Sequence, residues 1–199
     1  MIYISCDIDG VVNFYPEPWI SYAVHRLNLP FAPNSTSQLR DMIGVEAYRR
    51  LKHDYRILDT SFKYSAKVRE DFLVLYNYAV KDYGALFIFH TDRPLHKYPM
   101  MATQTMCWLS ANGIRSQGVF RKSAKNIALS KAALHIDDDL QRINTLRNSL
   151  PHITFFYLNT FASKAFGAFS GCELVFESIN CIKIAENLKM LCNYELFVR

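Results

Sequence analysis

The sequence predicts an α/β fold, a parallel sheet flanked by helices, with a small helical segment inserted after the first strand. Short apolar runs alternate with helix-like segments of about a dozen residues, which is the pattern of βαβ units. The runs are apolar on both faces, as strands are when helices cover both sides of a sheet. One connection, residues 13–84, is far longer than a single crossover helix requires and indicates the insertion.

Four runs fit buried strands because each is short, apolar and rich in β-branched or aromatic residues. They are IYISCDI (2–8), ALFIFH (85–90), ALHI (133–136) and ITFFYL (153–158). The first run leads into Asp7, Asp9 and Gly10, although Asp is a poor strand residue. Considered alone, this stretch fits a simple turn about equally well.

Helix-like segments occupy most of the remaining chain. After the second strand they are YPMMATQTMCWLSANG (98–113), SAKNIALSKAA (123–133), LQRINTLRNSL (140–150) and INCIKIAENLKMLCNYEL (179–196). The long connection holds PWISYAVHRL (18–27), GVEAYRRLKHDY (44–55) and SAKVREDFLVLYNYAVKDYG (65–84), with a predicted loop at 28–39. The last of these helices must lead back into the sheet. The predicted division is therefore a core of residues 1–12 and 80–199 and an inserted helical cap of residues 13–79.

Composition favours an ordinary globular domain. The chain has 199 residues, of which half are hydrophobic and 14% aromatic, enough for a sizeable core. No apolar run approaches the ~20 residues needed to span a bilayer, and the N-terminus lacks the basic region of a signal peptide. The five cysteines form no CxxC pair, which argues against a zinc site or a disulfide framework. We therefore expect a cytoplasmic protein that does not associate with membranes.

The formal net charge of +5 is mild, and no block of consecutive basic residues is present. This pattern favours an ordinary solvated surface over a nucleic-acid-binding surface and leaves a modest bias toward anionic ligands such as phosphates. The sequence leaves the oligomeric state open, with a homodimer as one option.

Acidic residues follow three of the predicted strands, at the edge of the sheet where open α/β proteins bind ligands. Asp7 and Asp9 follow the first strand, Asp92 follows the second, and Asp137 to Asp139 follow ALHI. Taken singly, these residues could be turn or helix-capping residues. Together they would repel one another unless a divalent cation held by oxygen ligands neutralised them. The pattern therefore predicts a Mg²⁺ site.

These residues resemble the four motifs of the haloacid dehalogenase-type (HAD) phosphohydrolases, in the same order. The first motif reads DIDGVV from Asp7, and the second ends a strand in Thr91. The third is a lysine near a helix start, either Lys122 or Lys125, and the fourth is HIDDD, which contains Asp137. Within that superfamily the chain is similar to the 5′(3′)-deoxyribonucleotidases, through its length, its cap position and the stretch TDRPLHKYPMMATQTMCWL. The resemblance implies a HAD-like Rossmannoid sheet.

The resemblance also implies roles for these residues. Asp7 would be the nucleophile that forms an aspartyl-phosphate, and Asp9 would act as general acid and then general base. Mg²⁺ would be held by Asp7, the backbone carbonyl of Asp9, Asp137 and Asp138. Thr91 would donate to a phosphate oxygen. Of the two lysines, Lys122 is preferred for balancing the charge of Asp7, because it precedes the expected N-cap Ser123.

Substrate-binding residues are expected beside the first and second motifs. Gly10 would let the chain turn closely beside the phosphate. Phe14 and Tyr15 could stack on a base, and Asp92 and Arg93 complete the predicted set. Two more aromatic residues at helical spacing, Trp19 and Tyr22, are expected to pack the cap rather than bind a ligand.

The predicted function is a Mg²⁺-dependent phosphomonoesterase that acts on (deoxy)nucleoside monophosphates. One alternative is a HAD phosphatase for another small phosphoester, such as a sugar phosphate or a nucleic-acid 3′-phosphate. A second alternative is a non-catalytic binding protein on the same fold, which the presence of both Asp7 and Asp9 argues against.

Overall fold

The computed structural model describes residues 2–58, 60–158 and 175–176. Six strands form one sheet in the order β3-β2-β1-β4-β5-β6, and every pairing between them is parallel. The strands are β1 (Tyr3–Cys6), β2 (Leu86–Thr91), β3 (Ser116–Arg121), β4 (Leu134–Asp137), β5 (Thr154–Leu158) and β6 (Val175–Phe176). The predicted parallel α/β architecture is confirmed.

Eight helices connect and cover these strands in the described residues. They are α1 (Glu17–Leu27), α2 (Thr36–Ile43), α3 (Val45–Ile57), α4 (Thr60–Tyr64), α5 (Glu70–Tyr83), α6 (Met100–Ala111), α7 (Ala124–Leu129) and α8 (Leu140–Ser149). The predicted helix at 179–196 lies outside the described residues.

All four predicted strands are present, with ends shifted by one or two residues. Sequence reasoning missed two strands, the short β6 at one edge of the sheet and β3, the edge strand beside β2. Its segment SQGVFR is exposed at both ends and contains Gly118, so it lacks the continuous apolar run of a buried strand. Its pairing with β2 is also irregular in register between Phe87 and Phe89.

Two of the helices were not predicted. The segment 28–39 was predicted to be a loop, but α2 begins inside it. Its N-cap is Ser35, whose hydroxyl accepts a hydrogen bond from the Gln38 backbone N–H at 3.1 Å. The short helix α4 is the second. Conversely, α7 ends at Leu129, four residues before the predicted end.

The buried side chains of the long connection belong to two separate clusters. Those of α5, such as Phe72 and Leu75, join Ile4 and Phe89 of the sheet in the main core. Those of α1 to α3 form a second cluster of their own: Trp19, Tyr22, Ala23, Leu39, Leu51 and Tyr55. The predicted boundary at residue 79 falls inside α5, which packs on the sheet. Residues 15–64, which include α1 to α4, are called the cap below; Tyr15 and the helices α1 to α3 pack apart from the sheet, whereas Tyr64 of α4 packs against the main core.

No helix in the described residues is both long enough and apolar enough to cross a bilayer. Two cysteines lie in this part of the chain and both are free thiols, the buried Cys6 and the exposed Cys107.

Candidate active site

The carboxyl ends of β1, β2 and β4 meet at one edge of the sheet because β1 lies between the other two. Cys6, the last residue of β1, pairs with Phe89 of β2 and Ile136 of β4. The next residue, Asp7, donates its backbone N–H to the Ile136 carbonyl at 2.9 Å. The register therefore places Asp7 next to Asp137.

Asp7 is buried, and both of its carboxylate oxygens accept hydrogen bonds. Oδ1 accepts from the Ile8 backbone N–H at 2.7 Å, and Oδ2 accepts from Nζ of Lys122 at 2.7 Å. Burial raises the pKa of Asp7 well above its usual value; Lys122 opposes this rise, whereas Asp137 and Asp138 add to it. The lysine therefore compensates only part of the negative charge around Asp7.

Lys122, and not Lys125, is the lysine that the fold brings to the carboxylates. Its side chain is buried, and Nζ lies 2.9 Å from Oδ2 of Asp137 in addition to its contact with Asp7. Its backbone N–H donates to the Thr91 carbonyl at 2.9 Å, which fixes the lysine beside the end of β2. Lys125, in the first turn of α7, is exposed.

Asp137 is fully buried and is held by groups that the motif comparison did not include. His135 Nε2 donates to Asp137 Oδ2 at 3.1 Å, and the Asp139 backbone N–H donates to Oδ1 at 3.0 Å. Burial would raise the pKa of Asp137, but the hydrogen bond from His135 and the charge of Lys122 lower it to about 2. The residue is therefore a carboxylate at neutral pH.

His135 belongs to a buried hydrogen-bonded row that crosses three strands. Ser5 Oγ lies 2.6 Å from Nδ1 of His135 and 2.8 Å from Nδ1 of His90. The Ser5 hydroxyl can donate to one of these ring nitrogens and accept from the other, so one side chain serves both histidines. Sequence reasoning placed both histidines near strand ends as structural residues; only the strand register reveals that they share Ser5.

Three carboxylates are arranged to hold a cation. One oxygen each from Asp7, Asp137 and Asp138 can be chosen so that all three lie within 4.8 Å of one another. Burial, and then the neighbouring Asp137, raise the pKa of Asp138 to about 7, the direction expected when acids crowd without a counter-ion. An all-oxygen, all-carboxylate donor set suits a hard divalent cation such as Mg²⁺. The residues therefore fit the implied metal.

Gly10 is the residue that lets Asp138 enter this cluster. Its φ of +92° is one that L side chains rarely adopt, and an added Cβ would lie 1.9 Å from Oδ2 of Asp138. A side chain at this position would therefore both strain the backbone and displace the carboxylate.

Asp9 lies beyond this cluster in an ion pair with Arg93. The guanidinium donates through Nε to Asp9 Oδ2 at 2.8 Å and through a terminal nitrogen to Oδ1, which also accepts from Asn13 at 3.1 Å. Burial alone would raise the pKa of Asp9, but Arg93 holds it well below its usual range. Arg93 also donates to Thr105 Oγ1 at 3.1 Å. Arg93, predicted to bind substrate, thus binds the predicted general acid.

The other residues after β2 have different surroundings. Thr91 is buried, and its hydroxyl oxygen accepts from the Arg93 backbone N–H at 3.2 Å. Asp92 is exposed and accepts from Arg142 of α8 at 2.6 Å, while its other oxygen lies 3.8 Å from Lys122 Nζ. Asp92 therefore links α8 to the rim of the cluster.

A cavity of about 370 Å³ opens between the strand ends and the cap. The sheet edge contributes Asp7, Asp9, Thr91, Lys122 and Asp138 to its lining. The cap contributes aromatic residues and three cations: Tyr15, Trp19, Tyr55, Lys52, Arg56 and Lys63. The cavity volume is in the range of small-molecule sites.

The aromatic residues predicted to stack on a base differ in position. Tyr15 lines the cavity. Phe14 does not; its ring is 42% exposed and lies under the Arg69 guanidinium at 5.2 Å. Trp19 and Tyr22 are buried in the cap cluster with their ring centroids 6.0 Å apart, which confirms the packing role expected for them.

No protein-family model matches the chain, and no curated protein matches it in sequence. Solved structures do match. A haloacid dehalogenase-like hydrolase from Streptococcus pneumoniae aligns with a TM-score of 0.61 at 11% identity, over 94% of this chain and 98% of that one. CbbY from Rhodobacter sphaeroides, in complex with xylulose 1,5-bisphosphate, aligns with a TM-score of 0.57 at 13% identity, over 90% and 95%.

A third match is the D,D-heptose 1,7-bisphosphate phosphatase from Burkholderia thailandensis, with a TM-score of 0.51 at 14% identity, over 94% of this chain and 98% of that one. At these identities the similarity is one of fold: the chain has the fold of HAD-like hydrolases. None of the three matches is described as a nucleotidase.

Proposed function

We propose that the protein is a Mg²⁺-dependent phosphomonoesterase that uses Asp7 as its nucleophile. The observation that carries this proposal is the position of Asp7, directly beyond β1, beside Asp137, Asp138 and Lys122 and lining the cavity. The order of motifs in the sequence and the HAD-like fold support the same conclusion.

In the proposed reaction, a carboxylate oxygen of Asp7 attacks phosphorus while the ester P–O bond breaks, giving an aspartyl-phosphate and an alcohol. The alcohol takes its proton from Asp9. Water then attacks the aspartyl-phosphate and gives its proton to Asp9, and inorganic phosphate leaves as Asp7 is regenerated. Lys122 and Thr91 line the cavity where the phosphoryl oxygens would lie, and the positive charge of Lys122 favours the carboxylate form of Asp7.

Asp7, Asp137 and Asp138 would hold the Mg²⁺, together with the backbone carbonyl of Asp9 as the resemblance implies. When bound, the ion supplies positive charge to the phosphoryl oxygens. The structure adds a requirement for Asp9: both of its oxygens accept from Arg93, which holds its pKa well below its usual range. One of these bonds must therefore open, and Asp9 must take up a proton from solvent, before it can protonate the leaving group.

Two substrate classes are candidates. Nucleoside monophosphates are supported by the resemblance to deoxyribonucleotidases and by Tyr15, which could stack on a base. Small phosphorylated metabolites such as sugar phosphates are supported by the cations of the cap wall and by the bisphosphates named for two proteins of the same fold. The lining favours the second class, because three cap cations line the cavity, whereas two of its three aromatic residues, Trp19 and Tyr55, are buried in the cap cluster.

The test is phosphate release from p-nitrophenyl phosphate, nucleoside monophosphates and sugar phosphates, with Mg²⁺ or with excess chelator. We expect release with Mg²⁺ alone, and none from Asp7→Asn, because an amide cannot attack phosphorus. Asp82→Asn is the matched control, since Asp82 is an exposed acid of α5. Normal turnover by a folded Asp7→Asn variant would exclude the aspartyl-phosphate mechanism.

A further inference from the structure

Three cations of the cap face the same cavity as the catalytic carboxylates. Lys52 and Arg56 lie one turn apart on α3, and Lys63 lies on α4. Among the described residues none of the three forms an ion pair with a carboxylate. The positive charge of these three side chains is therefore not neutralised by a carboxylate of the described residues.

The contacts that these cations do make are with aromatic residues. Lys52 Nζ donates to the Tyr48 hydroxyl at 3.2 Å and lies 5.8 Å from the centre of the Trp19 ring. The Arg56 guanidinium lies 5.9 Å from the centre of the Tyr98 ring. Such contacts hold the cations in place but leave their charge uncancelled.

Of the three cations, Lys63 has the greatest need of an anionic partner, because the residue is only 7% exposed and its ammonium group is poorly hydrated. Burial, and then the charge of Arg93, lower its pKa to about 7, whereas Asp9 acts in the opposite direction. Asp9 cannot serve as a full counter-ion because both of its oxygens accept hydrogen bonds from Arg93. A buried cation without its own carboxylate favours binding of an external anion.

We propose that the substrate carries a second anionic group, a phosphate or a carboxylate, which Lys52, Arg56 and Lys63 bind. This inference rests on the proposed function, which places the scissile phosphate at the opposite wall, beside Asp7 and Lys122. A substrate with a neutral base or sugar at the cap end would leave the three cations uncompensated. The substrate class is therefore small phosphoesters with an anion at each end.

The experiment compares substrates that share one phosphoester and differ in the second anion. Glycerol 3-phosphate is paired with 3-phosphoglycerate, and fructose 6-phosphate with fructose 1,6-bisphosphate. We expect kcat/KM to be at least about tenfold higher for the member with the second anion in one or both pairs. The pair with the larger ratio identifies the group as carboxylate or phosphate. Equal values within both pairs would overturn the proposal.

Variants show whether the cap cations cause the preference. Lys63→Met and Lys52→Met should each lower the ratio toward one, mainly by raising KM for the doubly anionic substrate. Arg50→Met is the matched control: Arg50 is an exposed cation of the same helix α3, paired with Glu46 at 3.4 Å, and should keep the ratio. A ratio that survives in both Lys63→Met and Lys52→Met would overturn the proposal. Since Lys52 is only partly buried, its variant decides the matter if Lys63→Met fails to fold.

Hydrolysis of p-nitrophenyl phosphate, measured in the same preparation, distinguishes failure of the proposed anion site from failure of the proposed phosphatase function. If it is hydrolysed while both ratios equal one, the anion site is wrong and the phosphatase stands. If no ester is hydrolysed, the proposed function falls, and calorimetric titration with fructose 6-phosphate and fructose 1,6-bisphosphate decides the anion site. Tighter binding of the bisphosphate, lost in Lys63→Met, would support it; equal binding would overturn it.

Discussion

The charge and orientation of Asp137 depend on the buried residues that contact it. It contacts Lys122 on one side and His135 Nε2 on the other, and Nδ1 of the same ring lies 2.6 Å from Ser5 Oγ. A metal ligand held in this way keeps both its charge and its orientation. We therefore expect His135 to act as a positioning residue for the Mg²⁺ site.

Replacing this histidine tests that role. His135→Phe keeps a buried ring but removes the donor to Asp137, so the Mg²⁺ concentration for half-maximal activity should rise roughly 10- to 100-fold. His152→Phe, at an exposed histidine ahead of β5, is the control and should leave the Mg²⁺ dependence unchanged. If His135→Phe lowered activity equally at all Mg²⁺ concentrations, the histidine would affect the chemistry by another route than the metal.

At the scale of elements, α3 contributes both buried apolar side chains to the cap cluster and cationic side chains to the cavity, and α4 adds a further cation to the cavity. Tyr55 and Leu51 of α3 are buried in the cap cluster, while Lys52 and Arg56 on the neighbouring face line the cavity. The short helix α4 places Lys63 against the same cavity. This arrangement opposes stability, because a buried ammonium group loses its hydration without gaining a carboxylate partner.

The cost of Lys63 predicts a pH-dependent gain in stability for Lys63→Met. Its pKa of about 7 in the folded chain lies below the unfolded value, so the penalty is complete below pH 7 and fades as pH rises above it. We expect Lys63→Met to be more stable than wild type at pH 6, with the advantage shrinking by about 2 to 3 kcal/mol by pH 9.

Urea unfolding at both pH values measures this difference, with Lys67→Met, at an exposed lysine after α4, as the control. An advantage that stayed constant with pH would mean that the methionine stabilises by packing rather than by removing a charge.

At the scale of the whole molecule, the active site gathers acids from three distant parts of the sequence. Asp7, Asp137 and Asp138 are brought together only when β1 and β4 pair, and Lys122 arrives with the connection after β3. The unfolded chain has no such cluster. A cation that binds these carboxylates must therefore stabilise the folded state.

Mg²⁺ should accordingly raise the melting temperature. At a concentration about 100 times its Kd, binding contributes about 2.7 kcal/mol, which for a domain of this size is a rise on the order of 5–10 °C. Scanning calorimetry of the apo and Mg²⁺-loaded protein measures this, with NaCl at equal ionic strength as the control. A similar rise in Asp137→Asn, or with NaCl, would mean that the effect is general screening of charge.

The sequence by itself determined the four inner strands of the sheet, β2, β1, β4 and β5, and the position of the acids at their ends. Short apolar runs followed by Asp7, Thr91 and Asp137 are local patterns, and parallel strands necessarily bring their carboxyl ends to one edge. The edge strand β3 was not predicted, because half of its residues are exposed and Gly118 has no side chain to contribute to an apolar pattern.

Only the tertiary structure decided what each side chain in the site contacts. It selected Lys122 over Lys125, paired Arg93 with Asp9 across 84 positions of sequence, and turned Lys52 and Lys63 toward the cavity. The physical reason is that sequence periodicity specifies which face of an element is apolar, whereas the partner of a polar side chain depends on how distant elements pack. From the sequence alone, the cap cations are indistinguishable from those of an ordinary solvated helix surface. Their position at the cavity follows only from the packing of α3 and α4 over the strand ends.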